Sequence, residues 1–121
     1  MTTHLALELL LLLFLKHFIV DFPLQKPYQY QNKGNYGHPG GILHSALHGV
    51  GTFICVWFFA PGVALAMAVA DFVVHYHVDW AKVNINKAFN WGPTTHEQFW
   101  WLLGLDQLAH ALTYIAIVAC I

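Results

Sequence analysis

Histidine and aspartate recur in this chain at a spacing of four. The pairs are His17-x-x-x-Asp21, His44-x-x-x-His48, Asp71-x-x-x-His75-x-x-x-Asp79 and Asp106-x-x-x-His110. Residues four apart on a helix lie on one face, one turn above the other. Imidazole nitrogens and carboxylate oxygens are ligands of divalent transition metals, and helix bundles assemble such sites from facing helices. The expected ligands are His17, Asp21, His44, His48, His75, Asp79, Asp106 and His110. That exceeds what one tetrahedral zinc needs and suits two or more ions, or one ion with orienting partners. Zinc is the first expectation, with iron and manganese as alternatives. Neither cysteine falls in the pattern, so thiolate chemistry is not indicated.

Five neighbouring residues take other expected roles. Asp71, one turn deeper than His75, and Asp106 are the candidate general bases of a hydrolysis. Asp71 is also open to a reading as a ligand or as the partner that orients a ligating histidine. Lys82, Gln25 and Gln107 are the candidate substrate contacts. Lys82 offers a point charge to a phosphate or headgroup, and as an interfacial lysine it would instead snorkel to the surface. Gln25 continues the first pattern by four residues, although Pro23 should end the helix before it.

Four apolar stretches are long enough to carry these residues across a bilayer: Leu5–Phe22, Ile42–Ala60, Val63–Ala81 and Phe99–Ile121. They predict an all-α fold, a four-helix transmembrane bundle in a single integral membrane domain over residues 1–121. The first stretch lacks a basic leader and a small-residue cleavage site, so it reads as a retained helix. Ala60-Pro61-Gly62 is a tight turn. Pro23–Gly41 is a polar loop with a helical turn near Tyr28–Lys33, and Lys82–Trp91 extends the third helix or lies along the interface. Thr94 with Glu97, or Thr95 with Gln98, would form a capping box for the fourth helix. Ala64, Ala66, Ala68 and Ala70 are expected to permit close helix packing.

Lysines fix the expected orientation. Lys26 and Lys33 lie in the first loop, Lys82 and Lys87 in the third, and Lys16 is expected to snorkel towards the first loop. The positive-inside rule then places the first and third loops in the cytoplasm and both termini outside, in an inner or plasma membrane. All four His/Asp pairs fall in the cytoplasmic half. Asp21, His44, Asp79 and Asp106 would form an outer layer, and His17, His48, His75 and His110 a deeper one. His77, two residues from His75, faces elsewhere. His4, His38 and His96 lie in termini or loops.

Composition excludes several classes. Of the 121 residues, 58 % are hydrophobic and only 9 % charged, against about a quarter charged in soluble domains. Five lysines, no arginine and a net charge of −1 argue against a nucleic-acid binder. Two cysteines cannot build a disulfide scaffold. Burying a charge at the bilayer centre costs about 2.5–3.5 kcal/mol on insertion scales, so a cluster of acids inside spans points to function.

The order His17-Phe-Ile-Val-Asp21-Phe-Pro-Leu-Gln25, Asn32-Lys33, His44-x-x-x-His48, His75-x-x-x-Asp79-Trp-Ala-Lys82 and Asp106-Gln107-x-x-His110 resembles a family of small integral membrane proteins of unknown function from bacteria and their phages. The resemblance covers nearly the whole chain and implies no established activity. More distantly, the His-x-x-x-Asp helices are similar to those of membrane-bound metal-dependent hydrolases and of the helical zinc phospholipase C and nuclease group. That likeness implies hydrolysis only by analogy.

The leading expectation is a metal-dependent hydrolase acting on a lipid, or a lipid-linked phosphate or ester, at the cytoplasmic leaflet. Its competitors are a non-catalytic assembly subunit with a structural His/Asp core, a di-iron oxidase, and a proton- or metal-handling protein. Membrane lipid is the expected partner. A homo-oligomer or a membrane-complex partner is compatible with so small a bundle.

Overall fold

The computed structural model describes all 121 residues and is all-α. Four long helices dominate: α1 (Thr3–Asp21), α3 (Pro39–Trp57), α4 (Ala64–Phe89) and α5 (Glu97–Ala119). A one-turn helix, α2 (Pro27–Tyr30), lies in the α1–α3 connection, and a 3-10 turn at Pro61–Val63 leads into α4. The four long helices are each apolar and long enough to cross a membrane. At 1.5 Å per residue, the 19 residues of α1 or α3 span roughly 28 Å, close to a hydrocarbon core. Leu7, Leu11, Phe18, Val50, Ile54, Leu65, Trp101 and Leu112 point outward and are exposed. An apolar exterior around a polar interior is the pattern of a protein solvated by lipid. The chain is an integral membrane protein with four spans.

Chain order sets which helix ends meet. The C-termini of α1 and α4 and the N-termini of α3 and α5 share one end of the bundle, together with α2. The His/Asp pairs lie in the C-terminal part of α1, the N-terminal part of α3 and the middle of α4 and α5. The other end is packed apolar: Leu9, Leu13, Val56, Ala64, Tyr114 and Ile117 form a buried cluster.

Local chemistry accounts for the boundaries. Thr2 caps α1, its hydroxyl accepting from the Leu5 amide. Pro39 occupies the first turn of α3, where its missing N–H costs nothing, and His38 caps that helix by accepting from the Gly40 amide. α4 runs through Lys82–Phe89 and stops at Asn90, whose φ of 53° is the left-handed C-cap conformation that asparagine tolerates. The helical turn expected in the first loop is present at Pro27–Tyr30.

Three expectations need correction. The capping box before α5 does not form: His96 is the N-cap with no side-chain cap, and the Thr95 hydroxyl turns to Gly92 and His96. Of the four alanines, Ala64 and Ala68 are buried, whereas Ala66 and Ala70 are exposed. Lys16 does not snorkel. It shares the buried face of α1 with Leu9, Leu13 and Val20, and it is held inside by the network described next.

Candidate metal centre

Five polar side chains surround Lys16. Its ammonium lies 2.9 Å from Asp71 Oδ2 on α4, 3.0 Å from the Tyr114 hydroxyl on α5 and 3.1 Å from His48 Nδ1 on α3. An ammonium has three hydrogens to give, and three acceptors receive them. Thr52 donates to the same Asp71 oxygen at 2.6 Å. The Tyr114 hydroxyl, already accepting from Lys16, pairs with His17 Nδ1 at 2.8 Å. The network is closed: a buried charge pair with its surrounding polar groups satisfied.

Lys16 can sit there because Gly51 opposes it on α3. A Cβ on Gly51 would lie 2.5 Å from Lys16 Cγ and 2.8 Å from Cδ.

The network also fixes a tautomer. Lys16 has no lone pair to offer, so His48 Nδ1 must accept. The hydrogen of His48 is therefore on Nε2, where it is given to Asp21 Oδ1 at 2.7 Å.

One layer towards the loop end, satisfaction breaks down. Gln29 of α2 donates its amide to Leu24 O at 3.0 Å, which turns Oε1 towards His44 Nδ1 at 3.2 Å. His44 thus donates from Nδ1, and in its neutral form it presents a lone pair at Nε2. That nitrogen lies 3.2 Å from Asp21 Oδ1 and 3.3 Å from Asp79 Oδ2, yet makes no hydrogen bond with either. A lone pair facing two carboxylates is repelled unless a cation lies among them. This is the arrangement of a ligating histidine, one nitrogen given to a carbonyl and the other aimed at the metal.

His75 repeats the signal. It is fully buried, with neither ring nitrogen hydrogen-bonded. Its ring is stacked between those of His48, at a centroid distance of 3.6 Å, and His110, at 3.8 Å. Its Nε2 lies 3.3 Å from Asp79 Oδ2 and 3.7 Å from Asp21 Oδ1. His110 Nε2 meets Asp79 Oδ1 at 3.2 Å and Asp106 Oδ1 at 3.3 Å.

Two groups emerge whose ligand atoms lie within 4.8 Å of one another: Asp21, His44, His48 and His75, and then His75, Asp79 and His110. Either could hold a divalent ion. At bond lengths of about 2.0–2.1 Å, a tetrahedral ion holds its ligand atoms roughly 3.3–3.4 Å apart. The Asp–His separations of 3.2–3.7 Å around His44 and His75 fit that spacing. The shorter contact of His48 to Asp21 is a hydrogen bond, whose proton an ion at Nε2 would replace.

Six of the eight expected ligands fall in these groups, and two flank them. His17 Nε2 reaches Asp21 Oδ2 at 3.0 Å and Gln107 Oε1 at 3.0 Å. Asp106 keeps Oδ1 buried without a hydrogen bond, while Oδ2 accepts from Gln107 at 2.9 Å and lies 3.4 Å from Lys82 Nζ. Gln25 does not extend the α1 pattern. It folds back to donate to Asp21 O at 2.6 Å and accepts from Lys33 at 3.2 Å. Lys33 Nζ is also 3.5 Å from Asp79 Oδ2. Asp71 stands apart from both groups, bound to Lys16 and Thr52. His77 faces outward against Tyr36, as its spacing from His75 implies.

The spacing rule had more to give. Thr52 follows His48 by four and Tyr114 follows His110 by four, so two of the patterns continue one turn deeper into the Lys16 network. Gln29 has no such signal, because α2 is a single turn and too short to show a spacing of four.

These features define a class: an integral membrane four-helix bundle with a buried His/Asp core. The chain belongs to the DUF3307 family of proteins of unknown function, whose profile matches residues 9–121. No curated protein and no solved structure matches the chain.

Proposed function

We propose that this protein is a metal-dependent membrane hydrolase acting on a lipid, or a lipid-linked phosphate or ester. The observation that carries the reading is His44. Gln29 holds its Nδ1, and its Nε2 is directed at two carboxylates with which, as a neutral imidazole, it cannot hydrogen-bond. Asp21, His44, His48 and His75 would hold one ion, and Asp79 and His110 a second, with Asp106 adjacent. Zinc suits the mixed imidazole and carboxylate set, with iron or manganese as alternatives. Two ions held there would supply a water activated at neutral pH and positive charge for the developing charge on a scissile ester.

The chain's own residues divide the remaining work. Asp106, with one buried oxygen free of hydrogen bonds, is the better placed of the two candidate bases. Asp71 is committed to Lys16 and Thr52, and acts on the site only by orienting Lys16 against His48. Gln107 joins Asp106 to His17 and would hold both in register. Four of the five lysines, Lys26, Lys33, Lys82 and Lys87, are at the site end of the bundle. Under the positive-inside rule this end is cytoplasmic and substrate enters from that leaflet.

The test is metal content per chain in detergent-purified protein, beside His44→Ala and His75→Ala, followed by turnover of phosphomonoesters, phosphodiesters and carboxyl esters by the loaded protein. Two equivalents of metal, lost in both variants, with hydrolysis of one ester class reduced at least about a hundredfold by Asp106→Asn, is the expected result. A folded wild type that takes up no zinc, iron or manganese would overturn it and leave a structural His/Asp core.

A further inference from the structure

Beyond the metal centre, a cavity of about 580 Å³ opens at the loop end of the bundle. It is lined by Lys33 from the first loop and by Lys82, Asn86 and Lys87 from α4, with Trp91 and Phe99 among its apolar walls. No acidic residue lines it. Lys82 and Asn86 share a face of α4 because they are four residues apart, and Lys87 borders the same cavity from the next position. The loop closes on that face at Gly34, whose missing Cβ leaves room for Val83 and whose carbonyl accepts from Asn84 at 2.9 Å.

Two of the lysines join this cavity to the metal centre. Lys33 is 3.5 Å from Asp79, and Lys82 is 3.4 Å from Asp106. Neither ammonium is spent. Lys33 gives hydrogens to Gln25 and Asp79, and Lys82 has Asp106 alone, so each keeps at least one donor for another anion. Lys87 forms no ion pair with any carboxylate. Asn86 Oδ1 is buried and accepts no hydrogen bond, so it offers an acceptor to a hydroxyl. Three ammonium groups, an open acceptor and aromatic walls beside two carboxylates of the candidate centre call for one kind of ligand. It is a tetrahedral anion bearing a hydroxyl or an apolar tail.

We propose that this cavity is a phosphate subsite, which binds the phosphoryl group of an anionic lipid headgroup or of a soluble phosphate. The assignment rests on the hydrolase reading and narrows its substrate class from esters in general to phosphoesters. Lysine serves such a group as a point charge, and Lys33 and Lys82 would use the donors that Asp79 and Asp106 leave free.

The experiment is calorimetric titration of chelator-treated protein in detergent, with inorganic phosphate in one arm and dihexanoyl phosphatidic acid in the other. Without metal, the readout reports the lysine cavity alone. Lys87→Gln should weaken both ligands about tenfold, the loss expected for one charge-assisted contact. Lys87→Arg should stay within about twofold of wild type, since both cations bind phosphate. Metal content of Lys87→Gln should be unchanged. Phosphatidic acid binding more tightly than phosphate assigns the site to a headgroup; equal affinities assign it to a soluble phosphate. No binding of either ligand to wild type, or no effect of Lys87→Gln, would overturn the proposal. A wild type that binds phosphate but never metal would instead remove the hydrolase reading and leave the anion site in place.

Discussion

Two polar clusters lie side by side inside this bundle, and they differ in how well they are satisfied. Around Lys16, each hydrogen of the ammonium has an acceptor, and Asp71 is held by both Lys16 and Thr52. Around His44 and His75, three imidazole nitrogens and one oxygen of Asp106 are buried with no hydrogen bond. Both clusters pay for desolvation. Only the first recovers that cost from the chain's own groups. Buried polar groups in native structures are nearly always paired, so an unpaired set on neighbouring side chains marks where an ion could be held. The Lys16 cluster is satisfied within the chain, and the His44–His75 cluster is the one that could hold an ion.

The largest expected effect falls on the Lys16 cluster. Lys16→Met strands Asp71 as a buried, uncompensated charge and should lower stability by about 3–5 kcal/mol, read as thermal or denaturant unfolding in detergent. Lys16→Met with Asp71→Leu should recover most of that loss. A double variant as unstable as the single one would show that the pair is more than mutual neutralisation.

The site should respond in metal binding rather than in folding. Zinc at a hundred times its Kd should stabilise wild type by about 2.7 kcal/mol and leave His44→Ala unmoved. Equal stabilisation of the two would place the ion elsewhere. Gln29→Leu, which removes the acceptor that holds His44 Nδ1, should weaken metal binding about 10–100-fold while leaving all the ligands in place. Unchanged affinity would mean that the Gln29 contact does not orient His44.

Gly51→Ala probes the seam between the clusters. The new methyl would press on a Lys16 side chain pinned at its far end, and a cost of about 1–3 kcal/mol is expected in the same unfolding assay. The smallest effect belongs to His77→Ala. Exposed and turned away from both clusters, it should shift stability by less than about 0.5 kcal/mol and leave metal content alone.

The four helices and the polar interior were legible in the sequence because both are written in local spacing. Hydropathy marks the spans, and a spacing of four places His44 beside His48 and Asp106 beside His110 on their own helices. The spacing cannot report across helices. It does not say that Asp21 of α1 meets three histidines from α3 and α4, or that His75 stacks between His48 and His110. Lys16 was misread because a lysine near a helix end can turn either way, and its direction was set by Asp71, 55 residues on. Gln29 is not legible because it reaches the site from the single turn of α2, too short for a periodicity to record which side chain faces inward. The expected capping box fails for a simpler reason: α5 starts only at Glu97, and Thr95 spends its hydroxyl on its own turn.

One consequence follows from the position of Gln29. It belongs to α2, a single turn lying in a surface connection, and not to a spanning helix. Its side-chain Oε1 reaches His44, and Gly40 lets the Tyr28 backbone pass close by where a Cβ would collide. The seating of a peripheral segment and the donor strength of a buried imidazole are therefore thermodynamically linked. Whatever factor the displacement of α2 costs in affinity for an ion at His44, that ion returns to the docking of α2. Headgroups or a neighbouring protein that press on this segment from outside the membrane would thereby adjust a centre they never touch, and loading of the centre would in turn be readable at the surface as protection of α2 from proteolysis.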